Sequence, residues 1–368
     1  MSAVALDGLD VRAVNAVPSP VADALMAKGV QTLGDIIQNS AFVPEVLEQL
    51  HISNVEARSF ALLQACKREA SDSWGTSNSA RDLLRKAQTQ PRVYLPCTEL
   101  DKLLGNALRS GAGLMEVCGL PGAGKTQFCL QLCASAQLGD SNAAASFQPE
   151  EAVYIDTEGS FVPTRYAQVC TALLSNRVAV KEEFPTEHSR GGLLEMTLRR
   201  MHVCRAFDAA ELYATVKHMG AFLQKHPKVR VLAVDSIAFC FRHEFTEDVG
   251  QRVRLLTDIA ATLRGYATKY NVLVAVTNHM TTKFDRSTNG LDDDMAWLAP
   301  ALGETWAHQP TTQLRLERST LLSVNQGGQP TGRATLTKSI EKPTGYSCLY
   351  QITEGGIRDV PALHVSSG

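Results

Sequence analysis

Residues 119–126 read Gly119-Leu120-Pro121-Gly122-Ala123-Gly124-Lys125-Thr126, a full match to the pattern G-x-x-x-x-G-K-[ST]. The chemistry of such a run is phosphate binding. Glycines let backbone N–H groups turn inward around phosphate oxygens, where a Cβ would obstruct them. Lys125 supplies a positive charge for the β- and γ-phosphates, and the Thr126 hydroxyl is a ligand for Mg²⁺. A chance glycine-rich turn is the competing reading. The flanks decide against it: Leu114 to Val117 precede the run as a short strand, and Thr126 to Ala136 follow as a helix whose N-terminus carries about half a positive charge. The run, with Gln127 behind it, is the candidate site for ATP and Mg²⁺.

Two acidic positions complete the constellation. Val231-Leu-Ala-Val234 is an apolar strand ending in Asp235, at the sheet edge where ligands bind in such folds, so Asp235 is the second metal ligand beside Thr126. Hydrolysis also needs a residue to orient or deprotonate water. Asp156-Thr-Glu158-Gly follows the apolar strand ending at Ile155, which would bring Glu158 to the same edge as Lys125 and Asp235. Taken by itself, Glu158 reads equally as a solvated turn residue.

The elements that must position these groups are legible in outline. A chain of 368 residues with 44% hydrophobic content supports one large domain and a small one. Net charge of −2 gives no global pull toward nucleic acid, so DNA contacts must come from local basic loops. No apolar run has spanning length and no signal-peptide pattern follows Met1, so no membrane partner is expected. The nine cysteines are scattered without a zinc-type double pair and read as buried reduced thiols. Residues 1–70 carry four short helical patterns, with Lys28-Gly29-Val30 closing the first and Ser53 with Glu56 as a capping box for the last. Residues 71–91 form a polar linker passing into a short basic helix. From 92 to 359 strands and amphipathic helices alternate, as in an α/β parallel sheet, and after residue 310 short strands joined by turns predict an antiparallel extension. Two amphipathic helices stand out: Leu212, Val216, Met219 and Leu223, then Val249, Val253, Leu256, Ala260, Leu263, Ala267 and Tyr270. Residues 360–368 are a short tail.

At this point the chain resembles a known family, the RecA-like recombinases of eukaryotes and archaea. The segment Asp156-Thr-Glu-Gly-Ser-Phe-Val-Pro-Thr-Arg165 is similar to that family's strand end carrying the catalytic glutamate. The resemblance implies that Glu158 is catalytic with Lys125 and that Arg165 lies near the adenine. Lys28 to Leu33 and Ile52 to Ala57 resemble the family's DNA-associated N-terminal domain. Asp235 to His243, Thr277 to Lys283 and Pro300 to His308 are most similar to one branch, the C-type paralogs of the Rad-fifty-one recombinase. The resemblance implies a RecA-like P-loop ATPase core behind a small all-α domain and a slow DNA-dependent ATPase. It implies a role in homologous-recombination repair within hetero-oligomers of paralogs, in the nucleus and also the cytoplasm.

The sequence departs from the family in three places. His279 stands where the family has the glutamine that senses the γ-phosphate; histidine also donates to phosphate, with different reach and charge. The linker lacks the Phe-x-x-Ala plug by which recombinase protomers chain together. Phe207-Asp-Ala-Ala210 matches in letters but is expected to be buried at a strand-to-helix junction. The tail shows no basic nuclear signal.

Two loops should face single-stranded DNA in such a fold. The first, around 239–248, offers Arg242 beside Phe241, and the second, 280–298, offers Lys283 and Arg286 ahead of an acidic run at 292–294. The alternatives to a paralog are a self-filamenting strand-exchange recombinase, a nucleotide-stabilised adaptor with negligible hydrolysis, and a helicase-type relative.

Overall fold

The structure, a computed structural model, describes residues 10–13, 17–55, 58–59, 61–64, 66, 79–139, 149–175, 190–241, 248–284, 296–319 and 331–361. The chain divides into two compact units, Met1–Thr89 and Gln90–Gly368.

The smaller unit packs helices α1 (Ser19–Ala27), α2 (Leu33–Gln38) and α3 (Phe42–Gln49) around Val21, Leu25, Leu33, Ile36, Val43 and Val46. The chain is helical again at the described positions between 55 and 66. Gly29, at φ +84°, ends α1 in the left-handed conformation, and the Val30 N–H returns to the Leu25 carbonyl at 3.1 Å. The capping box of this unit is at Thr32 and Asp35: Thr32 Oγ1 accepts from the Asp35 N–H, and the Asp35 carboxylate accepts from the Thr32 and Gln31 N–H groups. Those backbone donors hold the Asp35 carboxyl below its ordinary range. The expected partner of Ser53, Glu56, lies outside the described residues. Helix α4 (Ala80–Thr89) follows.

The larger unit begins with α5 (Thr98–Leu104) and β1 (Leu114–Gly119), then α6 (Lys125–Leu138), β2 (Glu151–Asp156), α7 (Pro163–Ser175), α8 (Arg190–Arg199) and β3 (Met201–Arg205). There follow α9 (Ala209–Lys225), β4 (Val229–Asp235), the short α10 (Ile237–Cys240), α11 (Val249–Tyr270), β5 (Leu273–Phe284) and β6 (Ala296–Pro300). The last elements are α12 (Gly303–Ala307), β7 (Thr312–Ser319), β8 (Thr331–Lys338), β9 (Ser347–Thr353) and β10 (Gly356–Arg358). The sheet runs β10-β9-β8-β7-β1-β5-β4-β2-β3, with β6 paired to β5. Pairings from β7 through β3 are parallel, whereas β7–β8–β9–β10 and β5–β6 are antiparallel. This is an α/β RecA-like core with an antiparallel C-terminal extension.

The central strands are apolar on both faces because both are covered. One face packs Met115, Val117, Tyr154 and Ala233 against Phe128, Leu132, Tyr166 and Val169 of α6 and α7. The other packs Val153, Val234, Val274 and Val276 against Leu212, Val216 and Met219 of α9 and Leu256, Ala260 and Leu263 of α11. All nine cysteines are free thiols, seven of them buried.

Four expectations are corrected. Phe207 is 57% exposed rather than buried. Asp208 accepts from the Glu211 N–H while Glu211 accepts from the Phe207 N–H, and this reciprocal cap sends Ala209 inward in its place. Phe241, expected on a DNA-facing loop, is 1% exposed, because α10 turns it into the core beside α11. Residues 280–284 are strand rather than loop, continuing β5 into a hairpin with β6 that pairs Lys283 with Trp297. Val249 lies at the exposed first position of α11 and contributes nothing to its apolar stripe.

Candidate nucleotide-binding site

Strand register builds the site. Gly119 at the end of β1 sits opposite His279 on β5, Val276 of β5 lies opposite Val234 of β4, and Asp235 lies opposite Asp156 on β2. Parallel pairing thus sets Asp156, Asp235 and Thr277 level with one another, and Gly119 with His279 two residues beyond, along the C-terminal edge of the sheet. Loops that start from one edge present their side chains to one space.

The phosphate loop leaves β1 at Gly119, where a Cβ would come 2.5 Å from the Leu316 carbonyl oxygen of β7. Gly122 and Gly124 hold φ of +77° and +98°, and Gly124 caps α6 in the left-handed conformation. Tyr350 of β9 donates to the Ala123 carbonyl at 2.5 Å, so the C-terminal extension braces the loop from outside. Leu120 and Pro121 form its crest, with Leu120 46% exposed, and a cleft of about 500 Å³ flanks it, lined by Met280, Leu298 and Arg315.

Lys125 is 8% exposed, and its Nζ donates to the carbonyls of Gly119 at 2.9 Å and Leu120 at 3.2 Å. Burial lowers its pKa, against the opposing pull of Asp235 and Glu158. A desolvated ammonium held by neutral carbonyls beside a helix N-terminus suits a polyanion. Thr126 Oγ1 donates to Asp235 Oδ2 at 2.7 Å, which couples the loop to β4. Hydroxyl and carboxylate are hard oxygen ligands of the kind Mg²⁺ takes.

Asp235 is 2% exposed and accepts three more hydroxyls: Tyr154 at 2.5 Å, Thr277, and Ser160 at 3.4 Å. Burial first, then the Asp235 charge, pushes the Tyr154 pKa well up, so the phenol remains a donor. The turn after β2 is held just as closely. Asp156 accepts from the Ser160 N–H at 3.0 Å and the Phe161 N–H at 3.2 Å. Thr157 Oγ1 donates to the Ser236 carbonyl at 2.7 Å and accepts from the Ser236 N–H at 2.8 Å.

That turn aims Glu158 at His279, whose Nε2 lies 2.7 Å from Glu158 Oε1. Ser236 Oγ donates to the same Oε1 and lies 3.2 Å from His279 Nε2. The bond from His279 holds the Glu158 carboxyl below its ordinary range despite partial burial. Arg165 reaches Gln127 Oε1 with Nε at 2.8 Å, Gln168 at 3.1 Å, and the carbonyls of Thr353 at 2.7 Å and Glu354. It ties α6, α7 and the β9–β10 turn together beside the loop. The structure therefore brings Gly119–Gln127, Glu158, Asp235 and His279 into one site, with Arg165 joined to it through Gln127. Arg242 and Arg286 lie outside the described residues, and Lys283 is placed only by its backbone in β5.

The sequence model of the family described as Rad51 matches residues 91–360. The chain belongs to the Rad51 family. It is 33% identical over 359 residues to "DNA repair protein RAD51 homolog 3" of Cricetulus griseus, covering 93% of this chain and 90% of that protein. The protein of the same name from Dictyostelium discoideum is 32% identical over 292 residues, 78% of this chain and 70% of its own. "DNA repair protein RAD51 homolog 4" of Bos taurus is 30% identical over 329 residues, 87% of each chain.

In this Rad51-family chain, Tyr154, Asp156, Thr157, Ser160, Ser236 and Thr277 are the site residues that sequence reasoning missed. The signal for Thr277 was available: it precedes Asn278-His279 on an apolar strand, in the row of Asp235. The others needed the register between β2 and β4. Lys125→Ala should weaken nucleotide binding by roughly 10–150-fold, the equivalent of about 1.5–3 kcal/mol for one lost hydrogen bond to a charged group. Titration with a fluorescent ATP analogue measures it, and unchanged affinity would remove Lys125 from the site.

Proposed function

We propose that this chain is an ATP-dependent recombinase paralog acting in homologous-recombination DNA repair, in the nucleus, within a hetero-oligomer of related chains. The observation that carries the reading is the convergence of Lys125, Thr126, Asp235, Glu158 and His279 at the C-terminal edge of the sheet. Names of the relatives add the context of DNA repair.

In this reading Lys125 and the N-terminus of α6 hold the triphosphate, and Thr126 with Asp235 holds Mg²⁺. The bound ion neutralises phosphate charge and polarises the terminal phosphate. Glu158 orients and deprotonates the attacking water. In the structure its Oε1 is engaged by His279 and Ser236, so the carboxylate is released when His279 turns to a phosphate acceptor. His279 would thereby report the γ-phosphate to the β5–β6 hairpin, which continues from it. Arg242, Lys283 and Arg286 are the proposed contacts to single-stranded DNA.

A second reading is favoured by the same engagement of Glu158: an adaptor that binds nucleotide for stability and hydrolyses it negligibly. Glu158→Gln separates the two. In the enzyme it should leave ATP binding intact and lower single-turnover hydrolysis by about 10²–10⁴-fold. Equal turnover of variant and wild type, with and without partner chains, would favour the adaptor.

Assembly with a partner rests on two features. Among the described residues β3 pairs with β2 alone and Val203 on it is 38% exposed, an edge open to an added strand. The linker of this chain carries no Phe-x-x-Ala to fill the equivalent edge of another copy. The chain should therefore form no long filaments by itself on single-stranded DNA with a slowly hydrolysed ATP analogue. Electron microscopy tests this directly, and regular helical filaments of this chain alone would promote the self-filamenting reading.

A further inference from the structure

At the opposite edge of the sheet from the nucleotide site, three side chains from three elements converge. Glu151 opens β2. His202 is the second residue of β3 and pairs with Val153. Side chains alternate along a strand, so Glu151, Val153 and His202 share the face that packs on α9. His226 is the residue that ends α9 and returns to that same face. The Glu151 carboxylate lies 2.9 Å from His202 Nε2 and 2.7 Å from His226 Nδ1. The three ligand atoms fall within 4.8 Å of one another.

We propose that Glu151, His202 and His226 form a binding site for a divalent transition-metal ion, Zn²⁺ foremost. Two imidazoles and one carboxylate are a three-ligand set that suits zinc, with water in the fourth position. Tetrahedral zinc with bonds of about 2.0–2.2 Å separates its ligand atoms by about 3.3 Å. The two carboxylate–imidazole distances need to open by only roughly half an ångström to reach it, and the two ring nitrogens already lie within 4.8 Å of each other. The side chains are 16%, 28% and 34% exposed, shielded enough to be ordered and open enough for an ion to enter.

The surroundings fix the rings. Phe222, one turn earlier on α9, stacks on His226 at 4.1 Å and meets His202 edge-on at 5.0 Å. Two further features favour a cation. The end of a 17-residue helix places partial negative charge beside His226. The neighbouring Arg230 has its charge met by Glu150 at 3.0 Å. The bound ion would clamp the start of the edge strand β3 to β2 and to the end of α9. No sequence motif announces the site, because its ligands stand 51 and 24 residues apart. A search for paired cysteines passes over it.

The test uses the full chain, stripped with a chelator and kept reduced. Zn²⁺ is titrated against a chromophoric competitor, and Co²⁺ is used as a spectroscopic substitute. The expected result is one equivalent of Zn²⁺ bound and a Co²⁺ spectrum of nitrogen and oxygen ligands without thiolate charge transfer. His202→Gln and His226→Gln should each weaken Zn²⁺ binding by more than the ~10–100-fold that loss of an outer-shell partner costs, with an unchanged far-UV spectrum and unchanged ATP binding. The thermal midpoint of the wild type should rise with Zn²⁺ and that of the variants should not. The wild-type Co²⁺ spectrum stands as evidence by itself should a variant fold poorly. No uptake by the wild type, equal affinity in wild type and variants, or a thiolate spectrum would each overturn the proposal. The cluster would then be an ion pair that closes the sheet edge.

Discussion

The carboxylate of Asp235 sits 2% exposed at the end of β4 and accepts hydroxyls from Thr126, Tyr154, Ser160 and Thr277. Each comes from a different element: the phosphate loop's helix, β2, the turn after β2, and β5. Burying such a group is costly unless its hydrogen bonds are made, so the four segments cannot shift independently. A displacement of the phosphate loop by an ångström would leave a buried acceptor short of a donor. The site is thus preorganised by one acceptor with many donors, and a divalent cation would take up the same oxygens.

Around that hub the rest of the core acts as bracing. The antiparallel extension reaches back over the loop: Tyr350 holds the Ala123 carbonyl, and Gln131 of α6 accepts from the Ile357 N–H at 3.1 Å and from Arg358 at 3.0 Å. Below the loop, the buried Glu116 of β1 accepts from Asn278 at 2.6 Å, Trp306 at 2.7 Å and Gln313. This network positions β5 where it delivers His279. Glu158 and His279 bond to one another across the site, and the Ser236 hydroxyl is the scaffold contact that they share.

What the sequence made legible follows from how local each signal is. The phosphate loop is eight consecutive residues with a strand before and a helix after, so its chemistry and flanks could be read together. Asp235 could be placed because an apolar run ending in a carboxylate has one register with respect to its own strand. Tyr154 and Ser236 could not, because their roles arise from β2 lying beside β4, and β2 follows β1 in sequence while standing three positions away in the sheet. Phe207 and Phe241 misled in opposite directions for one reason: a helix cap decides which way a junction residue points. Asp208 turned one aromatic out and Ser236, capping α10, turned the other in. The Glu151–His202–His226 cluster was invisible for the same reason as Tyr154, since it needs the register of β2 against β3.

Asp235 and Thr126 are the proposed seat for Mg²⁺ between β4 and the phosphate loop. Calorimetric titration of ATP with and without Mg²⁺, on the wild type and on Asp235→Asn with its far-UV spectrum retained, tests it most directly. The account predicts that Mg²⁺ tightens ATP binding in the wild type by at least about tenfold, one charge-assisted contact's worth, and that the asparagine variant loses this gain while still binding the nucleotide. An identical Mg²⁺ dependence in the two proteins would contradict it.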